Sequence, residues 1–264
     1  MQWWCAASAK AWSWAWVAYP GVWLLVGALA FGYHRALRRS APAPRDRILG
    51  WIGVAMLWLA FDWPIGSLAA GYLASIHALQ FLLVAMIAPP LLLLGARNGI
   101  VSWFAAQAET RGVRQLLSVV TAPLLAAVLF NLITITTHVP MVVDRLMVTQ
   151  LGAFAIDAAW LAGGLVFWYP LVVRAPARPL FAPGMQMLYL FFGTLFHTGI
   201  AIAMLLSDFP MYGVYELAPP MSGLSAIDDI KIAGGIMELA GAVIVFAVLT
   251  IVFFRWSSAA EAEA

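Results

Sequence analysis

Five ionisable side chains, His77, His138, Asp157, His197 and Glu238, fall inside or at the mouth of long apolar segments. A charged group at that depth in a membrane costs several kcal/mol unless it is paired or used. Imidazole nitrogens and carboxylate oxygens are metal ligands, and the thioethers of Met204 and Met237 share the same segments. Imidazole with thioether suits a soft cation such as Cu(I). The candidate ligand set is therefore His77, His138, His197, Asp157, Glu238 and Met237. Each also has a plainer role: methionine fills gaps in packing, and a buried His or Glu can join two helices by a hydrogen bond. Residue type alone leaves both readings open. No H-E-x-x-H, paired-aspartate or phosphate-loop motif occurs, so the expectation is a protein without catalytic residues. Cys5 is the only cysteine, which excludes an internal disulfide and any CxxC site.

These side chains must be carried by something that tolerates them. The chain has 264 residues, 64% hydrophobic and 10% charged, with mean hydropathy +0.92. So much apolar surface needs lipid as its solvent. Apolar runs long enough to cross a ~30 Å hydrocarbon core recur at Ala15–Tyr33, Ile48–Ile65, Ala69–Gly95, Leu117–His138, Thr149–Val173, Gly184–Ser207 and Ile232–Phe254. The expected fold is all-α: a polytopic, seven-transmembrane-helix bundle forming a single integral membrane domain over residues 1–264. With the N-terminus outside and the C-terminus cytoplasmic, eleven of the 14 Lys and Arg lie on the inner side, leaving Lys10, Arg145 and Lys231 outside. That bias fixes the orientation. At 1.5 Å per helical residue, His77, Asp157, His197 and Glu238 then lie roughly 10–15 Å below the outer surface. Ionisable groups from separate spans at one depth predict a shared polar site in the outer half of the bilayer.

Between the spans, the tryptophans of residues 1–14 predict an interfacial N-terminus, and Met1–Lys10 lacks the basic start of a signal peptide. Residues 99–116 predict an inner-surface amphipathic segment. Residues 208–230 form an external loop whose prolines and glycines argue against regular structure, and 257–264 is expected to be a disordered tail. In the last span Gly234, Glu238 and Gly241 share one face, so that face should pack inward. In the third, His77, Gln80 and Phe81 share a face, and Pro89-Pro90 should bend or end the helix before Arg97.

Several segments together resemble the CtaG-like family of caa3-type cytochrome c oxidase assembly proteins. HALQFLLVAMIAPPLLLLG is similar to the family's signature helix, and Thr137-His138-Val139-Pro140 with Asp144 to its His-x-Pro…Asp segment. Gly164–Pro170, the Met211-Tyr212…Tyr215 pair and Asp229…Ala233-Gly234…Met237 resemble three more of its motifs, in order, from about Asp62 to Trp256. Five family positions, in three motifs, differ. The second histidine of the signature helix is Phe81, a helix-five histidine pair is Ala153 and Asp157, and the final motif's Gln and Trp are Ile230 and Glu238. His77, His138 and Asp229 carry over. The resemblance implies a multi-pass protein of the bacterial inner membrane that helps build a haem-copper oxidase, with copper as cargo and oxidase subunits, or another respiratory complex, as partners beside membrane lipid. A metal-free accessory or scaffold subunit is the alternative. Nothing points to nucleic acid.

Overall fold

The computed structural model describes residues 2–40, 42–107, 119, 122–173, 182–221 and 223–263. Those residues form helices and connecting segments, with no strand among them. We number the helices α1 (Pro20–Ser40), α2 (Pro44–Phe61), α3 (Ile65–Gly71), α4 (Ala74–Phe81), α5 (Ala88–Gln107), α6 (Pro123–His138), α7 (Pro140–Leu146), α8 (Gln150–Val172), α9 (Pro183–Gly193), α10 (Leu195–Leu205), α11 (Gly213–Glu216) and α12 (Ala226–Glu263). Prolines open α1, α2, α6, α7 and α9, where the missing N–H costs nothing and the fixed φ suits a first turn.

Four helical stretches are long and apolar enough to cross a membrane: Ala74–Arg97, Gln150–Val172, Pro183–Leu205 and Ala226–Ala259. Counting the bent pairs α2–α3 and α6–α7 as one span each raises the number to six. Large apolar side chains such as Leu124, Leu132, Leu151, Phe191, Leu239 and Phe246 point outward, as a surface solvated by acyl chains requires.

The Ala74–Arg97 stretch is the axis of the bundle, with α2, α8, α12 and α1 packed around it. Pro89 and Pro90 do not end it. A π-helical turn over Leu82–Ile87 precedes them, and helix continues to Gln107. The wider turn relieves the clash that a proline ring makes with the carbonyl one turn earlier. Helices cross this axis closely at glycines. The Cβ position of Gly164 on α8 falls against the Ala85 carbonyl oxygen, and that of Gly53 on α2 lies 3.1 Å from the Ala88 carbonyl oxygen. Small residues at such crossings let backbones meet without hydrocarbon between them.

Three expectations need correction. Residues 257–263 continue α12 as helix, because Ala and Glu are strong helix formers that extend a turn already nucleated. The external loop contains α11, and α12 already begins at Ala226. The N-terminal tryptophans divide: Trp14 and Trp16 are exposed, but Trp4 is fully buried in the bundle. Of the expected amphipathic segment, 99–107 extends α5, and 108–116 lies outside the described residues.

Candidate functional site

We call the end of the bundle that carries residues 2–19, 62–73, 139–149 and 206–225 the upper end. Residues 2–19 form an irregular strap that runs into it. The Trp3 amide donates to Gln150 Oε1 (2.6 Å), the Ala7 amide to the Met147 carbonyl (2.8 Å) and the Tyr72 hydroxyl to the Lys10 carbonyl (2.8 Å). The strap fits because Gly66 and Gly71 leave room: a Cβ would meet Cys5 Sγ at 2.9 Å and Ala7 Cα at 2.5 Å, respectively. Trp4 sends its indole N–H to Asp157 Oδ2 at 2.8 Å. Beside it the Cys5 thiol faces the Phe61 carbonyl (3.2 Å), and Tyr19 and Ser67 share a hydrogen bond of 2.8 Å. Burial first, then the Asp157 carboxylate, pushes the Cys5 thiol well above its ordinary pKa.

One layer deeper, three imidazoles gather around two aromatic rings. Trp160, one turn after Asp157 on α8, lies 4.8 Å from the His77 ring and stacks on His138 at 5.9 Å. Phe81 sits 5.0 Å from His138 and stacks on His197 at 5.7 Å. His77 and His138 have ring centroids 6.4 Å apart. All three histidines are buried. They come from α4, α6 and α10, so three separate helices converge on the layer.

The hydrogen bonding of this layer is incomplete. His138 Nδ1 is 2.7 Å from the Thr134 carbonyl oxygen, an acceptor only, so Nδ1 carries the proton and Nε2 holds a free lone pair. That Nε2 has no partner, nor has Nε2 of His197 or Oε1 of Gln80, and neither nitrogen of His77 makes a hydrogen bond of ordinary geometry, the Ala69 carbonyl being the backbone acceptor that faces the ring. Buried polar atoms are almost always paired, so a cluster of unpartnered ring nitrogens calls for an explanation such as a bound ion or water. A carbonyl that fixes the tautomer of an imidazole is also the usual second shell of a metal ligand. With metal–nitrogen distances near 2 Å, two imidazoles in line on one cation would have ring centres roughly 6 Å apart, close to the His77–His138 spacing. Among the described residues no group of three or more His, Cys, Asp or Glu side chains converges on one metal-sized point.

The remaining expected ligands stand elsewhere. Asp157 belongs to the strap layer through Trp4. Met237 is fully buried on α12. Glu238 lies on the α12 seam facing α10, where the Cβ position of Gly234 is 2.6 Å from the Ala201 carbonyl oxygen and that of Gly241 meets the His197 ring. The glycine–carboxyl–glycine face packs inward, and Glu238 Oε2 is buried without a partner. Gln80 turns away from the histidines and donates to the Ala60 carbonyl at 3.0 Å, tying the axis to α2.

Two carboxylates set the frame. Asp229 of α12 accepts from the amides of Ala74 (2.5 Å) and Ser75 (3.2 Å), capping from a distant helix the α4 turn that presents His77. Asp144 of α7 accepts from the Val214 amide at 2.9 Å and holds α11 in place. From α11, Tyr215 lays its ring 5.8 Å from His77 and donates to the Ala69 carbonyl at 2.7 Å; Tyr212 donates to the His138 carbonyl at 3.0 Å. Burial raises the pKa of both phenols, so both remain donors. Trp4, Gln150 and Trp160 carry no signal in the sequence that separates them from the other tryptophans and polar residues. Only the path of the strap and the crossing of α4, α6 and α8 give them their places.

A family model described as cytochrome c oxidase caa3 assembly factor (Caa3_CtaG) matches residues 27–259, most of the chain. No curated protein and no solved structure gives a significant match. The histidine layer, Asp144, α11 and Asp229 all lie within the matched range, and the strap precedes it.

Proposed function

The chain belongs to the cytochrome c oxidase caa3 assembly factor family, and from that premise we propose that it serves oxidase assembly by holding Cu(I) transiently between His77 and His138. The observation that carries this reading is the layer of buried imidazoles whose nitrogens lack partners, beside carboxylates, Asp157 and Asp229, that are paired. A two-nitrogen site suits a delivery role. It binds a soft monovalent ion without the closed four-ligand shell that would retain it. His197, stacked on Phe81, is the third imidazole of the layer. Asp157, Glu238 and Met237 act as frame in this reading.

The topology we propose adds α1 to the six spans above, giving seven, with the strap end outside and α12 ending in the cytoplasm of a bacterial inner membrane. α1 spans about 30 Å at 1.5 Å per residue, and its lower end carries Arg35, Arg38 and Arg39, as the inner-side excess of basic residues requires. The histidine layer then faces the compartment from which copper reaches an oxidase.

The test is Cu(I) bound per protein, read by competition with a chromogenic chelator, for the wild type, His77→Ala and His138→Ala. The wild type should bind one ion and both variants none. Unchanged stoichiometry removes copper from the function. The second reading, a metal-free scaffold subunit, is favoured by the absence of a three-ligand group among the described residues; a complex with oxidase at fixed stoichiometry and no copper on this chain would establish it.

A further inference from the structure

The histidine layer is closed below by fully buried side chains, Phe81, Leu82, Met86, Phe130 and Phe167. Above it lie the strap layer and, on the α11 side, the buried rings of Tyr212 and Tyr215. At the upper surface a cleft of about 410 Å³ opens between the strap and α11, lined by Ala7, Ser8, Gly71, Asp144, Gly213 and Leu217 among others. Gly71 and Gly213 keep side chains out of it, and Asp144 places a carboxylate in its wall, 3.3 Å from where a Cβ on Gly213 would stand. Tyr215 reaches from α11 toward the layer. Its backbone follows the cleft residues Gly213 and Val214, its hydroxyl holds the Ala69 carbonyl, and its ring rests on His77.

We propose that this cleft is the port through which a small cation reaches the histidine layer, and that Tyr215 is its gate. The inference rests on the copper reading for the identity of the cation, but not for the route. A ring hinged on a one-turn helix can swing with little backbone change, and what holds it shut is chiefly the bond from its hydroxyl to Ala69. The Asp144 carboxylate lowers the energy of a cation at the mouth and at the same time fixes α11 from below, so attraction and hinge share one side chain. Tyr212, bonded to the His138 carbonyl, stays as the fixed side of the gate.

The route is tested with a cysteine reporter in the full chain. Cys5 is replaced by Ala and His77 by Cys, and labelling by a cationic, membrane-impermeant methanethiosulfonate is followed from the upper side. With Tyr215 intact, labelling should be slow. Tyr215→Phe keeps the ring and loses the hydroxyl bond, so labelling should speed up about tenfold, the equivalent of one hydrogen bond. Val148→Trp, at a cleft residue outside α11, should slow it by a similar factor, and it does not depend on the folding of the tyrosine variant. Equal rates in all three proteins would overturn the port. Cu(I) stoichiometry of the otherwise wild-type Tyr215→Phe chain keeps the two readings apart. Normal binding with unmoved labelling rates rejects only the port, whereas shifted rates without any copper binding reject only the cargo.

Discussion

Two polar layers lie one above the other in the upper half of this bundle, and they are built on opposite terms. In the strap layer the central donors find acceptors, Trp4 with Asp157, Tyr19 with Ser67 and Cys5 with the Phe61 carbonyl, while the peripheral indoles of Trp12 and Trp63 do not. In the histidine layer below it, neither ring nitrogen of His77 makes a hydrogen bond of ordinary geometry and His138 and His197 each leave one bare. Burial is the same in both, so depth does not separate structure from function here. Satisfaction does. A paired buried group contributes to holding helices together, and an unpaired one costs stability that only a ligand can return.

That contrast can be broken most decisively at the histidines. Replacing His138 with Phe should weaken Cu(I) binding by more than about 100-fold, beyond what loss of a mere outer-shell partner costs. The same variant should unfold within about 1 kcal/mol of the wild type, since an aromatic replaces a ring that forms few bonds. A variant that binds normally but falls apart would reverse the assignment of the two layers. Asp157→Ala is the converse experiment. It strands the buried Trp4 indole and should cost about 1–3 kcal/mol in detergent unfolding while leaving one copper per chain.

Asp229 sharpens the comparison, because it serves the histidine layer while belonging to neither. Asp229→Ala uncaps α4 and should cost about 0.5–2 kcal/mol, the usual range for a lost N-cap, together with a modest fall in Cu(I) affinity as His77 loses its fixed position. The smallest effect expected is at Cys5. Because its thiol pKa is raised in the folded chain, its contribution to stability is intact below the unfolded value of about 8.5 and falls as pH climbs above it. Cys5→Ala should remove that alkaline loss, seen as unfolding midpoints at pH 8 and pH 10 that differ less than in the wild type. At pH 7 the native thiol should resist maleimide, and in Asp157→Ala it should react.

The membrane class, the order of the apolar segments and the inward face of Gly234, Glu238 and Gly241 were legible in the sequence because each follows from local pattern: run length and a 3.6-residue period. The convergence of His77, His138 and His197 was legible only as a shared depth. Depth could not sort them from Asp157 and Glu238, since which way a side chain points around its helix depends on neighbours distant in the chain. Phe81 illustrates this. It stands where the resembling family has a histidine, yet it is the ring on which His138 and His197 both rest. Trp4 was unreadable for a different reason. A tryptophan beside a membrane normally sits at the interface, and only the glycine-lined channel past Gly66 and Gly71 admits it to the interior. The π-turn before Pro89 likewise has no local signature beyond the prolines it accommodates.

One element outlasts the lipid that surrounds it. The last helix has 38 residues, about 57 Å at 1.5 Å per residue, against roughly 40–45 Å for a bilayer with its headgroups. Arg255 and Trp256, both exposed, mark where it leaves the apolar zone, and helix persists to Glu263 beyond them. The molecule therefore comes with a stiff handle of about two turns. A fluorophore or affinity anchor attached there stands clear of detergent or lipid, and the opposite face is left free for kinetic measurements.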